Sequence, residues 1–242
     1  MPVWNPWHGC TKYSEGCKNC YVYRRDSLYG KDSSVVTKNS DFDLPIRKNR
    51  DGLYKMLTNE TVYVCMTSDF FLDKADCWRS EIWDIIRRRC DLNFMIITKR
   101  IERFSVCLPD DWGDGWDNVS VTCTCENQKR ADFRLPIFVE LPIKHKSIAC
   151  EPLLERINIE KYLEEIDLLV AGGESGENAR ICDFDWICDL KRQCESTNTE
   201  FYFKQTGARF VKDGKLFRIP RKIQHIQAQK AKINTVKEDF KL

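Results

Sequence analysis

From about residue 60 onward the chain repeats one local pattern: a short apolar run, a polar cluster, then a stretch whose apolar positions recur at helical spacing. The apolar runs are Val62–Met66, Phe94–Ile97, Val119–Cys123, Ser147–Cys150, Leu168–Ala171 and Phe201–Phe203. Each is too short for a helix and rich in β-branched or aromatic residues, so each predicts a buried strand. Between them Ser80–Cys90 and Phe184–Cys194 read as helices. In the second, Trp186, Ile187, Leu190 and Cys194 fall on one face. Strands that alternate with helices predict parallel strands joined by crossovers, an α/β fold. No linker interrupts the series and no repeat of fixed period is present, so one domain is expected over 1–242. It divides into a cysteine-bearing loop and polar insertion (1–60), the β/α repeats (61–209) and a basic C-terminal extension (210–242).

The polar clusters matter because such folds gather their functional groups at the carboxyl ends of the strands. The clusters are Thr67-Ser68-Asp69, Thr98-Lys99-Arg100, Glu126-Asn127, Glu151-Pro152, Gly172-Gly173-Glu174-Ser175 and Lys204-Gln205. The stretch Asp110–Asp117 (DDWGDGWD) is a turn-rich loop that either exposes its tryptophans or packs them as a small flap. The tail from Arg221, rich in Lys and Gln, fits a helix, a basic surface or a frayed end.

Composition narrows the classes. Hydrophobic residues at 42% and charged residues at 31% exclude a disordered chain. No run approaches the 18 or so apolar residues of a spanning helix, and the N-terminus lacks a basic and apolar leader. A cytoplasmic protein with no membrane association is expected. The net charge of +2 excludes a strongly basic nucleic-acid coat but leaves room for a local basic patch. The thirteen cysteines are an odd number without a secretion signal, which points to buried small side chains or metal ligands instead of a disulfide framework.

Three cysteines stand apart. Cys10, Cys17 and Cys20 have the spacing C-x6-C-x2-C in a Gly/Ser/Lys-containing stretch that follows Trp4-Asn5-Pro6-Trp7-His8-Gly9. A C-x2-C pair on one turn presents two thiolates to one ion, and the third closes the site from another direction. Structural zinc takes four closed ligands, and an ordinary [4Fe–4S] cluster takes four cysteines. Three thiolates would leave one iron open. A Cys3His zinc site that adds His8 is the rival reading, and three cysteines with no ligand is the third.

The segments W-N-P-W-H-G-C-x6-C-x2-C-Y, T-S-D-F-F, I-T-K-R-I-E-R, C-E-P-L-L, A-G-G-E-S-G-x-x-A-R and F-Y-F-K-Q occur in that order from Trp4 to about Gly207. Together they resemble an uncharacterised family of phage and bacterial proteins grouped at the edge of the radical S-adenosylmethionine (radical SAM) superfamily. The resemblance implies a single (β/α) barrel, full or partial and of TIM type, with an N-terminal cysteine-cluster loop. It implies a [4Fe–4S] cluster on Cys10, Cys17 and Cys20, whose open iron is chelated by the amino and carboxylate groups of SAM. One electron, from a flavodoxin- or ferredoxin-like donor, would cleave SAM to methionine and a 5′-deoxyadenosyl radical that abstracts a substrate hydrogen. The chain departs from the superfamily in having six residues between the first two cysteines where three are common. Its Gly-Gly-Glu segment follows about the sixth strand, not the second, so the superfamily's role for that segment is not carried over.

On this reading Asp69, Lys99, Arg100, Glu126, Glu151, Glu174 and Lys204 converge at one barrel mouth and form the SAM and substrate pocket. Lys99 and Arg100 suit a carboxylate or phosphate. Glu126 or Glu151 suits an amino group or ribose hydroxyls. Gly172, Gly173, Glu174, Ser175 and Arg180 form a strand-to-helix turn whose backbone can approach a ligand closely. No catalytic residue is singled out. Cys65, Cys123, Cys125 and Cys150, in or beside strands, suit a crowded interior better than a second metal. Cys77, Cys90, Cys107, Cys182, Cys188 and Cys194 read as packing residues. The expected substrate is a nucleotide or a base within nucleic acid. Basic groups at Arg87–Arg89, Lys99, Arg100, Arg103, Arg221, Lys222, Lys230 and Lys232 would meet its phosphates. Phe70, Phe71, Trp112 and Trp116 would stack a base. The alternative function is a non-catalytic zinc- or Fe–S-containing binding module. A hydrolase is disfavoured because no G-x-S-x-G elbow, H-E-x-x-H helix or paired-histidine set is present.

Overall fold

A computed structural model describes residues 2–236. Its strands are β1 (Val3–Trp4), β2 (Trp7–His8), β3 (Thr37–Lys38), β4 (Thr61–Val64), β5 (Asn93–Thr98) and β6 (Val119–Thr124). They continue with β7 (His145–Cys150), β8 (Leu168–Gly172), β9 (Ile181–Asp183), β10 (Glu200–Gln205), β11 (Arg209–Lys212) and β12 (Lys215–Arg218). The α-helices are α1 (Tyr21–Ser27), α2 (Asp76–Arg88), α3 (Gln128–Glu140), α4 (Phe184–Thr197) and α5 (Gln224–Gln229).

All six apolar runs of the sequence form strands of one seven-stranded sheet, in the order β1-β4-β5-β6-β7-β8-β10. The pairs β1–β4, β4–β5, β7–β8 and β8–β10 are parallel. This is the expected α/β class. The order has two ends and seven strands, which is compatible with a partial (β/α) barrel and does not make a closed TIM-type ring of eight. The strand absent from the sequence reading is β1, because two residues carry no readable period. Trp4 is nonetheless fully buried, and its carbonyl accepts the Cys65 amide at 2.9 Å.

The residues group into two compact units. Unit 1 holds the residues up to Tyr13, Val22–Thr122 and Leu141–His145. Unit 2 holds Ser14–Tyr21, Cys123–Glu140 and the chain from Lys146 on. In unit 1 the core is Trp4, Val62, Val64, Phe94 and Ile96 from the strands, with Ile82, Trp83 and Ile86 from α2. The flap at Asp110–Asp117 packs its tryptophans: Trp112 is buried, with its ring centroid 5.3 Å from Trp83 and 5.6 Å from Phe104. Phe70 and Phe71 are also fully buried, in contact with Trp83 and Phe104 respectively. Trp112, Phe70 and Phe71 have no free face for a base, which corrects their expected stacking role; Trp116 is half-buried, 5.4 Å from Trp112 and 5.6 Å from Trp83.

In unit 2, Ile148, Leu169, Ala171, Phe201 and Phe203 bury against α3 and α4 residues that include Leu135, Phe138, Ile187 and Leu190. Helix α4 starts where Asp183 accepts the Asp185 amide and stops at Asn198 in the left-handed conformation. Its buried stripe of Ile187, Leu190 and Cys194 is the one expected, with Trp186 at its half-buried margin. Each large aliphatic side chain so buried stabilises the fold by about 1.5–3 kcal/mol. The extension after Arg209, which has no strand in the sequence reading, forms the β11–β12 hairpin and α5. Its Asp213-Gly214 turn, with φ +51° and +71°, is the hairpin signal. The last part of the expected extension, 237–242, lies outside the described residues.

All thirteen cysteines are free thiols. Cys65, Cys123, Cys125 and Cys150 are buried, as are Cys107, Cys182 and Cys194, which suits packing. Cys77 and Cys90 are exposed and Cys188 is half-buried, which corrects their assignment to the interior. No helix among the described residues is long and apolar enough to cross a membrane.

The ends of β8 and β10 approach so closely that a Cβ on Gly173 would lie 2.3 Å from the Thr206 carbonyl oxygen and 2.9 Å from Cys182 Cβ. Gly173→Ala is expected to cost about 1–3 kcal/mol, read as a lower urea midpoint at unchanged slope. An unchanged midpoint would mean that these strand ends tolerate separation.

Candidate functional site

In unit 1 the strand-end charges hold the loop that carries Cys10. Asp69, at the end of β4, is buried. Its Oδ1 accepts the Thr98 hydroxyl at 2.8 Å and the Phe71 amide at 3.0 Å, and its Oδ2 accepts the Lys99 amide at 2.9 Å. Arg100 Nη1 lies 3.4 Å from Oδ2, a buried ion pair. The guanidinium then donates through Nη2 to Thr11, to the carbonyl at 2.8 Å and the hydroxyl at 2.9 Å. Its Nη1 reaches Cys10 Sγ at 3.9 Å. The Tyr13 ring lies under the same guanidinium at 4.9 Å, and the Tyr13 hydroxyl donates to Glu102 at 2.8 Å.

Behind this loop the Cys10 amide donates to the Ser33 carbonyl at 2.7 Å, the Cys10 carbonyl accepts the Tyr23 hydroxyl, and the Gly9 carbonyl accepts the Ser68 hydroxyl at 2.5 Å. Gly9 has φ +96°, and a Cβ there would meet the Val35 carbonyl oxygen at 2.2 Å, so only glycine fits. His8 Nε2 lies 2.7 Å from Asp26 Oδ2, which also accepts the Ser33 hydroxyl at 2.6 Å.

In unit 2 the same device holds the turn that carries Cys17 and Cys20. The turn itself is local: the Cys17 amide donates to Ser14 and the Cys20 amide to Cys17. Glu126, fully buried at the end of β6, accepts the Gly16 amide at 3.2 Å and the Ser14 hydroxyl through Oε1. Its Oε2 accepts Arg134 Nη1 at 2.7 Å. A Cβ on Gly16 would lie 3.1 Å from Glu126 Oε1, so the backbone approaches the carboxylate as closely as it can.

Glu174 accepts Arg180 twice through Oε2, from the amide at 2.9 Å and Nε at 3.0 Å, and once through Oε1, from Nη2 at 2.6 Å. Oε2 also accepts Asn19 Nδ2 at 2.9 Å. Arg180 Nη1 donates to the Glu15 carbonyl at 2.8 Å, and Arg130 pairs with the Glu15 carboxylate at 2.7 Å. Burial acts to raise the Glu174 carboxyl, but the hydrogen bonds from Arg180 and Asn19 outweigh it and hold the group below the ordinary carboxylate range.

Glu151 and Lys204 form a separate pair in unit 2, Nζ to Oε2 at 2.9 Å. The Glu151 charge raises the Lys204 ammonium despite its burial. The room left by Gly172 is taken by Glu151 Oε1, which a Cβ would meet at 2.6 Å. Gln205 Nε2 donates to the Gly173 carbonyl at 2.8 Å.

Of the expected site residues, Asp69, Lys99 and Arg100 thus gather with Cys10 in unit 1. In unit 2 Glu126, Glu174 and Arg180 gather with the turn of Cys17 and Cys20, and Glu151, Gly172 and Lys204 with one another. Ser175 lies half-buried beside Glu174. The sequence reading missed Asn19 and Arg134, which complete the two carboxylate clamps of unit 2, and Thr11, which receives Arg100. The signal for Arg134 was a lone basic position on an otherwise apolar helix face. Among the described residues, no group of three or more His, Cys, Asp or Glu side chains is gathered as a single metal ion requires.

Fold and site define an α/β protein with an N-terminal three-cysteine segment anchored by charged groups at the strand ends. A family model described as "Protein of unknown function (DUF5131)" matches residues 2–237, nearly the whole chain, and the protein belongs to that family. No curated protein and no solved structure matches it.

The Glu174 clamp has a pH signature. A carboxylate depressed in the folded state stabilises fully above its unfolded value, near 4.5, and that contribution is lost as pH falls through the lower folded value. Glu174→Gln is expected to lower the thermal midpoint at pH 7 and to flatten its decline below pH 4.5. An equally steep acid decline in the variant would show that other carboxylates carry it.

Proposed function

We propose that this protein is a radical SAM-type enzyme, with a [4Fe–4S] cluster on Cys10, Cys17 and Cys20 and SAM as its second cofactor. The observation that carries the reading is that the buried strand-end charges Arg100, Glu126 and Glu174, with Asp69 behind Arg100 and the half-buried Arg180 beside Glu174, are engaged with the eleven residues that bear these three cysteines. Buried charge spent on anchoring the backbone beside these thiols suits a ligand-bearing segment, whose three side chains are not gathered around one point among the described residues.

The donor chemistry fits a cluster. The three cysteines are half-exposed. The strand cysteines are sealed, and burial pushes the thiols of Cys65, Cys125 and Cys150 well above their ordinary value and those of Cys182 and Cys194 up to about 12. Those groups stay protonated and do not compete as ligands. Arg100 Nη1 lies 3.9 Å from Cys10 Sγ.

When bound, the cluster and SAM supply one-electron chemistry that ends in hydrogen abstraction from a substrate, with the electron coming from a flavodoxin- or ferredoxin-like donor. The chain's own part is to hold and orient. Glu151 and Lys204, paired at the ends of β7 and β10, carry the opposite charges that suit the amino and carboxylate groups of SAM. Lys99, half-buried at the end of β5, is the further cation for an anionic group. Free thiols throughout agree with a reducing compartment such as the cytoplasm.

The test is anaerobic purification with iron and sulfide analysis, then reduction in the presence of SAM. About four irons per chain and release of 5′-deoxyadenosine are expected. Cys10→Ala, Cys17→Ala and Cys20→Ala should each lose the iron, while Cys77→Ala and Cys90→Ala keep it. Colourless protein with one zinc per chain, or full iron in Cys17→Ala, overturns the assignment. Glu151→Gln should keep the iron and lower SAM cleavage at least tenfold.

A further inference from the structure

Between Ala208 and Lys232 the chain carries eight lysines and arginines against one acidic residue, Asp213. The whole protein has a net charge of only +2, so the rest of the chain is net acidic and this segment is a local concentration of positive charge. The β11–β12 register places Arg209 opposite Arg218 and Lys212 opposite Lys215. Like charges directly opposite one another destabilise a strand pair. The tight Asp213-Gly214 turn prevents a slip that would relieve them.

None of these four forms an ion pair among the described residues, and Arg209 Nε is buried with no hydrogen-bond partner. Several other basic groups named in the sequence differ. Arg87, Arg89, Arg100 and Arg103 are paired with Asp84 and Asp111, Asp91, Asp69 and Asp76 respectively. The hairpin instead sets its charges opposite one another.

The hairpin face that carries Lys212 and Lys215 also carries Phe210 and Phe217, because partners across the register share a face and alternate positions along a strand do too. That face borders a cavity of about 210 Å³ lined by Phe184, Phe203, Phe217, Lys212, Gln227 and Lys230, among others. Phe203 and Phe210 are stacked at 6.0 Å, and the Lys212 ammonium lies 4.9 Å from the Phe184 centroid. Phe217 is 46% exposed at this face, an unusual position for a phenyl ring that only packs. The cavity is smaller than the roughly 300–1,000 Å³ of pockets for drug-sized molecules, so it suits a single heterocycle. It offers flat apolar walls, an amide that can read an edge, and ammonium groups at the rim.

We propose that the β11–β12 hairpin and α5 form a binding site for single-stranded nucleic acid. Lys212 and Lys215, on the face that carries Phe210 and Phe217, contact successive phosphates, and one base enters the phenylalanine-lined cavity. Charge complementarity selects a polyanion, and the aromatic cavity selects one with a planar base over a phospholipid surface. The site names the substrate class of the enzyme proposed above and rests on that reading for catalysis. Binding itself needs no cluster, so the two can fail separately.

The experiment is fluorescence anisotropy of a labelled single-stranded oligonucleotide titrated with the full-length protein at two salt concentrations, with and without iron loaded. Anionic phospholipid vesicles form a parallel arm. Binding that weakens with salt and is the same with or without iron is expected. Lys212→Glu/Lys215→Glu should weaken it at least tenfold and make the salt dependence shallower by about 1.4 in slope, the share of two phosphate contacts. Phe217→Ala should weaken it about tenfold at unchanged salt slope. Lys31→Glu/Arg50→Glu, with the same change in net charge at exposed positions of unit 1, should stay within twofold of wild type, and thermal midpoints check that all variants fold. The proposal is overturned by no binding at low salt, by equal losses in the two double variants, by an unaffected Phe217→Ala, or by binding to vesicles but not to the oligonucleotide.

Discussion

A carboxylate or guanidinium taken out of water must be paired and hydrogen-bonded, and that requirement organises both units of this protein. Asp69 with Arg100, Glu126 with Arg134 and Glu174 with Arg180 are each paired with one another, and each pair has donors or acceptors left over. The remaining capacity goes to the cysteine-bearing residues: Thr11 from Arg100, Gly16 and Ser14 to Glu126, Asn19 to Glu174, Glu15 from Arg180. An irregular segment with almost no apolar side chains to bury is thereby fixed by desolvated electrostatics. Removing one member of such a pair leaves the other charge buried alone, which typically costs 3–5 kcal/mol. The geometry of the thiols is therefore tied to that of the sheet.

Much of this was legible in the sequence because the signals were strong ones. Continuous apolar runs marked the buried strands, and the polar residues that follow them marked the strand ends. The 3.6-residue spacing of Ile187, Leu190 and Cys194 marked α4. The roles of the strand-end charges were less legible. Asp69, Arg100, Glu126 and Glu174 read as groups aimed at a ligand, because a sequence does not show which charges already have partners more than eighty residues away. Arg100 meets Thr11 and Glu126 meets Gly16 only in the fold. The Asp213-Gly214 hairpin was overlooked for a different reason: its strands are four residues each and β12 is exposed throughout, so no apolar period announces it.

The same distinction separates the two sets of basic residues. In unit 1, Arg89 and Arg100 are buried and saturated with carboxylate and carbonyl partners, so their positive charge is structural. In unit 2, the hairpin holds like charges face to face across a two-stranded register. Composition counts both sets equally. Only the pairing tells charge that holds the protein together from charge that is available to something else.

The clamps of unit 2 also set an order of events during synthesis. Gly16 is anchored by a residue 110 positions later, and Asn19 by one 155 positions later. At ribosomal rates of roughly 5–20 residues per second, about 8–30 seconds pass between the emergence of Cys17 and Cys20 and the arrival of the groups that fix their turn. In that interval the thiols belong to an unanchored nascent chain, open to oxidation or to a stray metal ion. The turn that carries these two thiols therefore takes its folded form only after most of the chain has been made, and the cell's supply of reductant during translation decides the state in which the thiols reach it.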